Sequence, residues 1–106
     1  DTAAGKYFLL PRLAGGEGGL QLAYYAGASV GDTSATVRMA FSQDGGATFA
    51  PSAVLKDSLT FTVDRTSPKW LGDYMGIFSR GREVVTAFVD NGSAANAIVV
   101  DLRGVP

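Results

Sequence analysis

The apolar positions of the chain come in short runs broken by Gly, Pro, Asp and Asn, a pattern that predicts strands joined by turns. Residues 6–13 read as a first strand, and Pro11, which cannot donate to a ladder, makes it an edge or an irregular strand. A Gly-rich turn at 14–19 leads to a second strand at 20–26, a loop at 27–34 and a third strand at 35–42. A tight turn follows, and then a short fourth strand at 52–56. Residues 57–72 form a connection of 16 residues, within which 61–63 can pair locally and Pro68 opposes continued helix or strand. Connections this long in a compact domain are functional or disordered, and Trp70 and Leu71 at its end argue for order. Strands resume at 73–79, 83–90 and 96–102, separated by a tight turn at 80–82 and a polar loop at 91–95. Residues 84–89 and 97–100 are almost continuously apolar where a sheet with one wet face would alternate. Both faces of these sheets are therefore expected to be covered.

The two sets of strands have the same spacing, with a short turn first and a polar loop second, so the chain reads as a repeat. The expected units are residues 1–57 and 58–106, the second one strand short of the first. Composition agrees: 14 glycines with abundant Val, Thr, Phe and Tyr favour strands and turns. It also narrows the chemistry. With no Cys and no His, the chain has no disulfide framework, no thiolate or imidazole zinc site and no Ser-His-Asp triad of its own. Net charge is −1 and the nine basic residues are scattered, which opposes nucleic-acid binding. No apolar run approaches the ~20 residues of a membrane helix. Asp1 is not a natural initiator, and the chain reads as a mature or excised piece of something longer. The Gly-rich run 15–19 lacks the Lys and the strand-to-helix context of a phosphate loop, so no nucleotide or other cofactor is expected.

The tight turn after the third strand is the most specific feature. In residues 42–49, Ser42 and Asp44 can accept backbone N–H groups across the bend, and Thr48 can tie its far end. Gly45 and Gly46 permit positive φ, and Phe49 offers an apolar foot to bury. The order Ser42, Asp44, Gly46, Thr48, Phe49 resembles the Asp-box, Ser-x-Asp-x-Gly-x-Thr-Trp, of sialidases and other propellers with bacterial neuraminidase repeats, with Phe49 in place of Trp. The resemblance implies an all-β fold of antiparallel four-stranded blades, with the Asp-box as a structural turn on the rim away from any active site. It also implies an extracytoplasmic, secreted protein. A last blade that borrows one strand would account for the missing fourth strand, and further blades of the same ring would be the chain's partners. A seven-stranded β-sandwich is the competing fold.

In that family the box is followed by the blade's fourth strand, a loop, and a Tyr nucleophile opening the next inner strand. Tyr74 holds the matching position, in 73–77, and is the catalytic candidate that the resemblance implies. Asp73 and Trp70, just before it, are the binding candidates. A sialidase also needs an arginine cluster for its carboxylated substrate. Neither Ser34 nor Ala35 supplies the Arg that falls seven or eight residues before the box, and Arg38 does not match by spacing. Met75-Gly76 also departs from the small polar residue usual after the nucleophile. Two functions stay open: a glycan- or protein-binding propeller piece with no assignable catalysis, or part of an exo-acting glycoside hydrolase of sialidase type. A purely architectural surface module is a third. Alternate loops of an antiparallel blade emerge at alternate ends. Loops 27–34, 57–72 and 91–95 are therefore expected at the end opposite the Asp-box, and there any ligand would bind.

Overall fold

The computed structural model describes residues 7–27, 33–62, 64–92 and 96–106. Among these residues seven strands are present: β1 (Tyr7–Gly16), β2 (Gly19–Gly27), β3 (Ser34–Ser42), β4 (Ala53–Thr60), β5 (Gly76–Arg80), β6 (Glu83–Asp90) and β7 (Ala97–Gly104). They form two antiparallel sheets, β1-β2-β3-β4 and β5-β6-β7, each built from consecutive strands. The fold is all-β, with no helix among the described residues and no closed barrel. The expected strand start at Lys6, most of the loop at 27–34, Val63 and the end of the loop at 91–95 lie outside the described residues.

Strand periodicity decides which side chains meet. Ala23, Tyr25, Val37 and Met39 alternate along β2 and β3 and point to one face, where they pack with Val84 and Phe88 of β6. Leu71 and Met75, from the connection between the sheets, complete the same core. The two sheets come closest along β1 and β5. One strand further out, the Tyr25 hydroxyl bridges them. It accepts the Val89 N–H at 3.0 Å and donates to the Val89 carbonyl at 3.4 Å. Gln21 Oε1, Ser79 Oγ and Thr86 Oγ1 are buried with no partner among the described residues.

The strands differ from their expected bounds in physically readable ways. β4 continues to Thr60 because Leu59 pairs with Ala35 and is buried in the core, so the irregular connection starts at Phe61 rather than Asp57. β5 begins at Gly76, which leaves Asp73 and Tyr74 off the strand. The irregularity expected at Pro11 is present. The β1–β2 register shifts between Leu9 and Arg12, and Leu10 has φ 49°. Among the described residues, cover on both faces is not found. Phe78, Ile98, Val100 and Leu102 stand exposed on the outward side of β5–β7, and Phe8, Leu13 and Val54 are exposed on β1 and β4.

The ends of the sheets separate the turns. Gly19, with φ 92°, approaches the Asp-box so closely that a Cβ would lie 2.2 Å from the Ser42 carbonyl oxygen. Gln43 Nε2 and Arg82 Nη2 both donate to the Pro106 carbonyl, at 3.1 and 3.3 Å. The β1–β2, β3–β4 and β5–β6 turns thus share one end. The connection 61–75 and residues 91–92 share the other, as the alternation of loops requires.

Candidate functional site

At the loop end the connection is shaped by its own side chains. Asp64 Oδ1 accepts the Thr66 N–H at 2.9 Å and the Thr66 hydroxyl at 2.7 Å, and these bonds hold the Asp64 carboxyl below the usual carboxylate range. Ser67 N donates to the Asp64 carbonyl, and Trp70 N donates to the Ser67 carbonyl, each at 3.1 Å. Two successive turns result, with Pro68 at the second position of the second turn, where its fixed φ suits the bend. Gly72, with φ 81°, then redirects the chain toward Asp73.

Asn91 locks this connection onto the sheets. Its side chain is fully buried. Oδ1 accepts the Thr60 N–H at 2.9 Å, while Nδ2 donates to the Thr60 and Lys69 carbonyls, each at 2.6 Å. Lys69 Nζ returns a bond to the Asn91 carbonyl at 2.7 Å. One amide therefore ties the end of β4 to the residue before Trp70.

The turns open onto a cleft of about 250 Å³, with Leu9, Leu10, Tyr25, Phe61 and Leu71 as apolar wall and Thr62, Arg65, Trp70 and Asp73 as polar rim. Burial, the main cause, pushes the hydroxyl of the wall residue Tyr25 above its ordinary pKa. Arg65 stands over the Trp70 ring, 5.2 Å from its centroid, and its Nη2 lies 3.7 Å from Asp73 Oδ2. An apolar pocket with a few convergent polar groups and a half-buried Trp can hold a polar ligand that has an apolar face. Among the described residues no three carboxylates converge as a metal cage would require.

Of the sequence-predicted residues, Trp70 and Asp73 share this cleft. Tyr74 does not line it and is 83% exposed. Arg65 was not among the candidates. The only signal for it lay in its place six residues after Leu59, in a turn-forming Asp-x-Thr context that no strand periodicity marks.

The Asp-box residues lie at the far end. Ser42 Oγ donates to Asp44 Oδ1 at 2.8 Å and accepts the Gly46 N–H at 2.9 Å, and Thr48 N donates to Asp44 Oδ1 at 2.9 Å. The Thr48 hydroxyl bonds Asp44 Oδ2. Gly45 and Gly46 have φ of 73° and 93°. Phe49 is not buried beneath the turn. It is part exposed and lines an apolar depression with Phe8, Leu22 and Tyr24 on the outward face of the first sheet. Comparison of the chain with protein families, with curated proteins and with solved structures found no match.

Proposed function

We propose that the chain is a section of about two blades of a sialidase-like β-propeller, secreted, that binds a glycan or glycoprotein through the cleft at its loop end, with no catalysis assigned. The observation that carries the binding reading is the convergence of Trp70 and Asp73 on one cleft, at the end remote from the Asp-box. The complete order of hydrogen-bonding residues in the box supports the family. Three features support blades over a sandwich. Each sheet is a meander of consecutive strands, the sheets are closest at their first strands, and their outward faces are apolar. Blades on either side would cover those faces, as the remaining members of the ring. The test of binding is fluorescence of Trp70, the chain's only Trp, titrated with a panel of methyl pyranosides. Saturable change, abolished in Asp73→Ala and retained in Asp44→Ala, is expected. Loss of binding in folded Asp44→Ala would place the site at the wrong end.

The alternative is a glycoside hydrolase of sialidase type in which Tyr74 attacks the anomeric carbon, the glycosidic bond breaks as an acid from the other blades protonates the leaving oxygen, and water then releases the sugar from Tyr74. The exposure of Tyr74, which follows Asp73 in the chain, favours this reading. Hydrolysis of an aryl glycoside that disappears in Tyr74→Phe while pyranoside binding persists would establish it, and hydrolysis unaffected by that change removes the role.

A further inference from the structure

We infer that Arg65 is a gate on the Trp70 face: its guanidinium occupies the ring surface on which a ligand would stack, and Asp73 holds it there. The inference rests on the reading of this cleft as the binding site and adds how access to it is controlled. The Arg65 guanidinium, 5.2 Å from the ring centroid, is within cation–π range. Its 3.7 Å approach to Asp73 is a charge contact, too long for a hydrogen bond. Both side chains are mostly in water, at 72% and 53% exposure, so solvent and salt weaken the pair. The latch is therefore weak enough to release.

What moves is the Arg65 side chain rather than the backbone beneath it. Asp64 ties the turn under Arg65, and Trp70 is held through Ser67 and by Asn96 Nδ2, which donates to the Trp70 carbonyl at 3.4 Å. A guanidinium and a ligand ring cannot share one indole face. Apparent affinity is therefore reduced by the fraction of molecules in which Arg65 has left the ring. The gate also selects. A ligand must bring an apolar ring face to displace the cation, and hydroxyl groups at its rim then meet Asp73, which also lines the cleft. Small polar molecules without such a face leave the gate closed.

Because Trp70 is the only Trp, quenching of its fluorescence by neutral acrylamide reads the gate with no ligand present. Arg65→Ala is expected to raise the quenching constant about twofold, and Arg65→Lys by less, since ammonium covers the ring less well than a planar guanidinium. Asp73→Asn, as an independent release of the latch, should move quenching in the same direction. In 1 M NaCl the wild-type value should rise toward that of Arg65→Ala, which itself should not respond. Equal quenching in wild type and Arg65→Ala at low salt overturns the gate. Methyl pyranosides should bind Arg65→Ala about tenfold more tightly than wild type, and equal measured affinities would also overturn it. If quenching changes as expected but no pyranoside binds either protein, the glycan reading fails and the gate stands.

Discussion

Asp44 is a carboxylate whose work is entirely local. The Thr48 hydroxyl is the main cause of its depressed pKa, followed by the Thr48 N–H and the Ser42 hydroxyl, which together lower it from 3.8 to about 2. All three bonds favour the charged form. A depressed folded-state pKa contributes stability that is present above 3.8 and is lost as pH falls through about 2. A carbon-detected titration of the Asp44 carboxyl should therefore show a midpoint near 2, and Asp44→Ala should reduce the acid-side change in stability between those values, leaving the share that Asp64 contributes. A midpoint near 3.8 would mean that the turn bonds do not persist in solution. A different residue-scale prediction concerns Thr86, whose Oγ1 is buried without a partner among the described residues. Thr86→Val keeps the shape and removes an unsatisfied hydroxyl. It should raise stability by about 1 kcal/mol in chemical denaturation. A loss of more than that would reveal a hydrogen bond to an ordered water.

At the scale of elements, the connection between the sheets depends on Asn91. Asn91→Ala would orphan Thr60 N, Thr60 O and Lys69 O in one buried place. The expected cost is about 2–4 kcal/mol in chemical denaturation, with Trp70 emission shifting to the red before global unfolding as the connection loosens. Asn91→Asp should be nearly as harmful, because a carboxylate cannot donate to the Thr60 and Lys69 carbonyls. If Trp70 emission is unchanged in both variants, the connection is ordered by its own turns and Asn91 only supports β4. The strand boundaries were legible where apolar runs are bounded by Gly, Asp or Asn, as in β6. At β4 they were not, because 57–60 carry a pattern of one apolar residue among polar ones, and only pairing with Ala35 shows Leu59 to be inside.

For the whole molecule, the two outward sheet faces set the behaviour in solution. Contiguous exposed apolar area of this kind drives association. The chain should bind hydrophobic dyes and self-associate at micromolar concentration. Val100→Lys with Leu102→Glu, both exposed on β7, should lower dye binding and shift the population toward monomer by light scattering, without changing the far-ultraviolet circular dichroism. A monomeric wild-type chain with no dye binding would count against neighbouring blades and for a self-contained sandwich.

The sequence by itself determined the order of the strands, their consecutive pairing and the chemistry of the turn at 42–49. These rest on local causes: two-residue periodicity, positive-φ glycines and short-range side-chain bonds to the backbone. It also determined which loops share an end, since antiparallel connection leaves no other arrangement. Tertiary structure decided the rest. Trp70 and Asp73 were legible as candidates because an aromatic and an acid stood at the close of a long connection. Their meeting with Arg65, and the placing of Tyr74 outside the cleft, follow from two turns, the positive φ of Gly72 and one buried amide 21 residues downstream of Trp70. Periodicity carries no information about where an irregular segment turns back, because there the long-range contacts choose among backbone states that are locally near-equal in energy.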